Sequence, residues 1–251
     1  MKARQRLDVL LVARGLAESR SRAAALVMAG RVLVDDRPVT KPGTKIPEDA
    51  AVRVRGGGHD FVSRGGVKLD GALSAFAAGG LRVEGRVALD VGASTGGFTE
   101  CLLRRGAAKV HAVDVGYGQL HPKLARDRRV VVHDRTNIRT APDDLLGEPV
   151  GLVVVDCSFI ALAKVLPHLP RFLAPAADVV ALVKPQFELD PGRVGKGGVV
   201  RDDADRAAAV ARADRAAAAL GLERRGQVDA PIAGRAGNRE IFVWWAAGDR
   251  A

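Results

Sequence analysis

The sequence predicts a doubly wound, Rossmann-like α/β domain preceded by a small α+β module, and three observations carry that reading. From Phe61 onward, Val-rich runs alternate with stretches of helical period, the signature of a sheet with crossover helices. Three consecutive glycines, Gly56 to Gly58, fall where the composition changes, and such a run disfavours both helix and strand. Ahead of them the chain is basic: residues 1–55 hold 12 Lys and Arg against 6 Asp and Glu, so this stretch carries more than half of the net charge of +10 on the 251 residues. The expected organisation is a module over 1–55, a linker over 56–62 and the α/β domain over 63–251.

In the module, Leu7, Leu10 and Leu11 mark a helical stripe that stops at Gly15, and Ser19 to Ala29 reads as a second helix closed by Gly30. RVLVDD and AVRVR follow as strand-like stretches around the turn-rich KPGTKIPED. In the domain, strands are expected over 86–92, 109–116, 130–134, 151–156 and 178–185, each a Val-rich run bounded by turn residues. Near-continuous apolar strands of this kind are buried on both faces. A helix over 203–221 and a last strand over 241–246 complete the expected sheet.

Composition narrows the function classes. Apolar residues make up 47% of the chain but aromatics only 4%, so Ala, Val and Leu must do most of the packing. No run approaches the ~18 apolar residues of a membrane-spanning helix, and the N-terminus MKARQRLDVLLVARG scatters charge through its apolar positions, unlike a secretory signal. The expected protein is cytoplasmic and monomeric, with no membrane partner. Cys101 and Cys157 form no CxxC or Cys/His cluster, so neither a disulfide framework nor a bound metal is expected. A pI near 10.3 favours a polyanionic partner such as nucleic acid or an acidic membrane surface.

The run LDVGASTGGFTECLL places a small-residue turn between a strand and a helix, where a ligand can approach the backbone and meet unpaired amides. A dinucleotide fingerprint fails because Ala93-Ser94-Thr95 follows Gly92 and the second glycine is missing. A P-loop fails because position 98 is Phe and supplies no charge to phosphates. What remains is a turn over Gly92, Ala93, Ser94, Thr95, Gly96, Gly97 and Phe98, preceded by Asp90 and followed one strand later by Asp114. A carboxylate at that second strand end can bind two ribose hydroxyls, and a loop without a nearby cation suits a sulfonium ligand. S-adenosyl-L-methionine meets both conditions. Asp134, before Arg135-Thr136-Asn137, is the expected contact to the adenine edge.

The helix–helix–strand–turn–strand order of residues 4–55, with SRSRAAALVMAGRVLVDDRPV, resembles the S4 RNA-binding domain. FVSRGGVKL (61–69), DVGASTGGFT (90–99), VVVDCSFI (153–160), LVKPQFE (182–188), GKGGVVRD (195–202) and GNREIFVW (237–244) together resemble the TlyA-type ribosomal RNA 2′-O-methyltransferases. That family joins an S4 domain to a catalytic domain similar to the FtsJ ribose methyltransferases, and its members also carry haemolysin labels. The resemblance implies methylation of ribose, on cytidines of 16S and 23S ribosomal RNA. It implies RNA contacts at Arg4, Arg6, Arg20, Arg22 and Lys41 in the module and at Arg64 and Lys196 in the domain. It also implies a catalytic tetrad of Lys68, Asp156, Lys184 and Glu240.

A ribose hydroxyl is a very weak acid, so methyl transfer to it needs a base poised on the oxygen. An ammonium serves once burial and a second cation lower its pKa. The resemblance thus makes Lys184 the base and Lys68 the neighbouring cation that steadies charge on the oxygen, with Asp156 and Glu240 orienting them through charge-assisted hydrogen bonds. Amino-methylating enzymes carry Asn or Asp, Pro-Pro and an aromatic after the fourth strand, where this chain has Asp156-Cys157-Ser158-Phe159. Cytosine-C5 chemistry would need a cysteine nucleophile, and strand alternation turns Cys157 from the face that Asp156 uses. A pore-forming haemolysin would need a long apolar segment, yet the most apolar region is broken by Pro167, Pro170, Pro175 and Pro185. An inactive RNA-binding assembly factor would not need the tetrad.

Overall fold

A computed structural model describes residues 4–17, 19–54, 61–234 and 236–247. They fall into two compact units that divide between residues 60 and 61. Residues 56–60 of the expected linker, with its three glycines, lie outside the described residues.

In the first unit, strand β1 (Arg4–Arg6) leads into α1 (Leu7–Ala13), and α2 (Arg20–Met28) follows. The Ser19 hydroxyl caps α2 by accepting the Arg22 N–H. Strands β2 (Val32–Val34), β3 (Arg37–Val39) and β5 (Val52–Val54) form a three-stranded sheet in the order β3-β2-β5, while β4 (Lys45–Pro47) pairs with β1. Asp35 and Asp36, expected as the end of a strand, are instead the two-residue turn between β2 and β3. Both have positive φ (49° and 62°), which a primed hairpin turn requires and Asp tolerates. Leu7, Leu10, Leu11, Leu26, Val27 and Val32 fill the small core.

The second unit opens with α3 (Arg64–Ala77) and then alternates: β6 (Val87–Val91), α4 (Gly97–Arg104), β7 (Lys109–Val113), α5 (Pro122–Ala125), β8 (Val130–His133), β9 (Val150–Val155), β10 (Leu173–Val183), α6 (Pro185–Glu188), α7 (Asp203–Ala218), β11 (Leu222–Asp229) and β12 (Ile241–Ala247). The seven strands form one sheet in the order β11-β12-β10-β9-β6-β7-β8. Strands β8, β7, β6, β9 and β10 run parallel, while β12 is antiparallel to β10 and to β11.

Side-chain alternation along these strands sends odd and even positions to opposite faces. Val153, Val155, Val179, Ala181, Val183, Ile241 and Val243 pack with α7 and the 162–172 segment on one face. Leu152, Val154, Val180, Leu182, Phe242 and Trp244 pack with α3 and α4 on the other. Phe61 and Val62, which the sequence places in the linker, belong to this second cluster. Phe61 lies so close to Gly66 that a Cβ there would collide with its ring.

Candidate active site

The parity that fills the core also aims the polar residues. Asp156 follows β9, Lys184 follows β10, and Glu240 precedes β12; continuing each strand's alternation puts all three on the face covered by α3. Register brings them to one sheet edge, because Ala181 pairs with Val155 on one side and Val183 with Ile241 on the other. Helix α3 supplies the fourth residue. Lys68 Nζ donates to Glu240 Oε2 at 2.5 Å, and both residues are buried. Lys184 Nζ forms an ion pair with Asp156 Oδ1 at 2.6 Å and donates to Ser158 Oγ at 2.9 Å. The tetrad is thus two Lys–carboxylate pairs. Ser158, two residues past Asp156, is a partner that sequence reasoning missed; its signal was a hydroxyl just past the strand end, two residues from an expected tetrad carboxylate.

A cavity of about 490 Å³ opens at the same edge. Gly92, Ser94 and Asp114 line it, as do Thr136, Asn137 and Asp156. Glycine at position 92 is required twice over: φ is +89°, and a Cβ would meet the Asp156 carbonyl oxygen at 2.7 Å. Asp114 fixes the turn, with Oδ2 accepting the Ser94 N–H (2.8 Å) and Oδ1 accepting the Gly116 N–H (2.7 Å).

The other residues expected in the turn are placed differently. Gly96 has φ of +96° beneath Leu120 and Leu124, and Gly97 is pressed against Ser63 and the Gly66 backbone. Phe98 is a core residue, its ring 5.9 Å from that of Phe242, because the first turn of α4 already points it inward. Ala93 is buried, and neither it nor Thr95 lines the cavity. Asp134 accepts the Gly118 N–H at 2.9 Å, and its neighbours Thr136 and Asn137 line the wall instead. The sequence also missed Gln119 and Phe159, both on the wall.

Asp90 is fully buried under the turn. Thr99 Oγ1 donates to its Oδ2 at 2.6 Å, while Oδ1 has no partner among the described residues. Burial pushes its carboxyl up to about 7, the Asp156 charge adds to that, and the Thr99 hydrogen bond opposes it. Cys157 packs with the core on the face opposite the tetrad but also reaches the cavity wall. Burial, with the Asp156 charge adding, pushes its thiol up to about 12, so no thiolate is at hand.

Of the expected RNA contacts, Arg6 and Arg20 converge on Asp8 at 2.9 and 3.4 Å while their own side chains stay largely exposed. The Arg6 hydrogen bond, against the cost of burial, holds the Asp8 carboxyl below its usual range. Arg4 donates to the Lys45 carbonyl, and Arg22 and Lys41 are exposed. In the second unit, Arg64 donates to the Ala233 carbonyl at 2.6 Å, and Lys196 is exposed.

A glycine-bearing turn on a parallel sheet, with paired lysines and carboxylates at its edge, is matched by the FtsJ-like methyltransferase family profile over residues 61–247. The chain belongs to that family. An S4 domain profile matches residues 5–52. The methyltransferase is 51% identical over 245 residues to the 16S/23S rRNA (cytidine-2′-O)-methyltransferase TlyA of Mycobacterium tuberculosis, covering 97% of this chain and 90% of that one. It is 39% identical to Hemolysin A of Brachyspira hyodysenteriae, with 95% and 98% of the two chains covered. A solved structure described as a hemolysin from Streptococcus thermophilus superposes with a TM-score of 0.76 at 38% identity, over 99% of this chain and 90% of that one. Among the described residues no helix is long and apolar enough to cross a membrane.

Proposed function

We propose that this methyltransferase moves a methyl group from S-adenosylmethionine to the ribose 2′-oxygen of cytidines in 16S and 23S ribosomal RNA, in the cytoplasm. The observation that carries the reading is the two Lys–carboxylate pairs, three of their members at adjacent strand ends and Lys68 on α3, with Asp156 on the wall of the Asp114 cavity. The residues present fit the cofactor. Asp114 spends one interaction of each oxygen on the turn and keeps lone pairs for two ribose hydroxyls. Among the described residues Asp90 Oδ1 is a buried acceptor lacking a donor, as expected beneath a cationic ligand. S-adenosylmethionine supplies the methyl group as a sulfonium electrophile.

The chain's own residues then handle the oxygen. Lys184, fixed by Asp156 and Ser158, first releases to solvent the proton it carries in that ion pair, and the neutral amine then takes the hydroxyl proton. Lys68, fixed by Glu240, faces negative charge developing there. Phe159 stands 89% exposed on the cavity wall with φ of +64°, its ring 5.1 Å from that of Phe187, and offers an unstacked base an aromatic face. The absence of a Pro-Pro-aromatic sequence after Asp156 and the protonated Cys157 thiol weigh against base methylation.

The test is transfer of labelled methyl to purified ribosomal subunits, followed by mapping of the modified atom. Label on a base, or no transfer to either subunit, rejects the reading.

A further inference from the structure

Two of the six motifs, GKGGVVRD and GNREIFVW, supply only Glu240 to the tetrad, and the structure clasps one to the other. Gly195 and Val199 bridge as antiparallel partners around a tight turn, the Gly198 N–H donates to the Gly195 carbonyl at 3.0 Å, and Gly197 and Gly198 both take left-handed backbone. Lys196 is exposed on this turn and has no ion-pair partner among the described residues. The nearby carboxylates are spent within the fold: Asp202 caps α7 at the Ala204 N–H, Asp203 pairs with Arg206, and Asp205 pairs with Arg193. The Lys196 charge is left for a ligand.

Asn238 sets the place of this hairpin. Its side chain is 1% exposed; Oδ1 accepts the Val200 N–H at 2.8 Å, and Nδ2 donates to the Gly198 carbonyl at 2.8 Å. Its own carbonyl accepts the Gly234 N–H at 2.7 Å. Glu240 follows two residues later. A glycine hairpin does not choose its own position, because glycine gives up the most conformational freedom on being fixed. A buried amide committed on both ends to its backbone supplies that choice.

We propose that Asn238 is a positioning residue that holds the 195–199 hairpin to the Glu240 turn, so that Lys196 grips a phosphate of the RNA strand carrying the target ribose. The proposal rests on RNA being the substrate. It makes Asn238 act through Lys196, and it separates grip from chemistry.

The test compares Lys196→Ala, Asn238→Asp and the double variant of the full chain. Aspartate keeps an acceptor for the Val200 N–H, loses the donor to Gly198 and sets a carboxylate oxygen against that carbonyl. Asn238→Ser serves as a second, milder variant should Asn238→Asp be unfolded at the assay temperature. RNA affinity is measured against salt, with KM, kcat and cofactor Kd alongside. Each single variant is expected to raise the RNA KM roughly 3–10-fold and to reduce the salt slope by about one, as loss of one phosphate contact does. Cofactor Kd should stay within about twofold, and the double variant should be no worse than Asn238→Asp alone, since coupled residues are non-additive. Multiplying effects in the double variant, an unchanged salt slope for the Asn238 variants, or a loss confined to kcat or cofactor affinity overturns the proposal. Binding is read without turnover: a native chain that binds RNA without methylating it refutes the proposed function and leaves the clasp to the salt slopes. A native chain that does not bind RNA overturns both.

Discussion

Removing Lys184 separates a base from an electrostatic clamp. Alanine at this position deletes the ion pair to Asp156 and the hydrogen bond to Ser158. The paired side chains are 10% and 25% exposed, so water reaches the carboxylate left behind. The folding cost therefore stays near the ~1.5–3 kcal/mol of a hydrogen bond to a charged group. The catalytic cost is larger: loss of a general base lowers the rate by ~10²–10⁴, or about 2.7–5.4 kcal/mol of barrier. Single-turnover methyl transfer at saturating cofactor and RNA reads that difference, with calorimetry confirming that cofactor affinity is retained. Lys184→Arg should fail like alanine, because a guanidinium keeps the charge but does not deprotonate in a protein. Near-native turnover by Lys184→Arg would refute the base assignment and leave Lys184 as a cation only.

Asp114→Ala should weaken S-adenosylmethionine by roughly 10–150-fold, the equivalent of ~1.5–3 kcal/mol for one charged hydrogen bond; an unchanged Kd by calorimetry moves the ribose contact elsewhere. Deleting residues 1–60 should leave a folded domain that has lost most of its activity on subunits, because the first unit carries much of the positive charge and phosphate neutralisation supplies much of nucleic-acid affinity; full activity in the truncated protein would make the module dispensable. The raised Asp90 carboxyl gives a pH signature. Between about 4 and about 7 the folded cofactor-free protein holds a proton that the unfolded chain has lost, so this group's contribution to stability falls as pH rises through that window. Asp90→Asn should therefore gain stability relative to the native protein by roughly 2–5 kcal/mol from pH 4 to 7 and level off above it. A pH-independent difference in denaturant unfolding would mean that Asp90 is ionised throughout.

The legible parts of the fold are those whose residues obey one demand. Strands β6, β7, β9 and the 178–183 part of β10 are buried on both faces, so they read as Val-rich runs, whereas the 173–176 start of β10 is partly exposed around Pro175 and does not. Strand β11, LERRGQVD, is an edge strand with mostly exposed side chains, and nothing apolar announces it. Helix α3 is masked by Gly65, Gly66 and Gly71, residues poor in helix propensity. At two of them neighbours approach too closely for a Cβ, the Phe61 ring over Gly66 and Pro231 at 2.9 Å over Gly71, while Phe98 at 3.3 Å makes a tight fit over Gly65. The same conflict blurred the turn. Its glycines read alike in sequence, yet Gly92 borders the cavity while Gly97 makes room for Ser63. Phe98 read as part of the ligand loop although its ring belongs to the core.

The tetrad shows why spacing alone could not have assembled the site. Its members span residues 68 to 240, and only the last strand's direction explains their meeting. A parallel strand in the place of β12 would begin at the far edge of the sheet and carry a residue preceding it away from β10. Because β12 is antiparallel, the residue before its start lands beside the residue after the end of β10, which sets Glu240 next to Lys184. Parity then decides the face. Asp156, Lys184 and Glu240 all sit at even positions, on the side where α3 brings Lys68, and a one-residue slip of β12 against β10 would send Glu240 to the opposite face. Trp244, buried at the same parity and donating to Asp178 Oδ1 at 2.7 Å across that strand pair, helps fix the register on which the pairing of Lys68 with Glu240 depends.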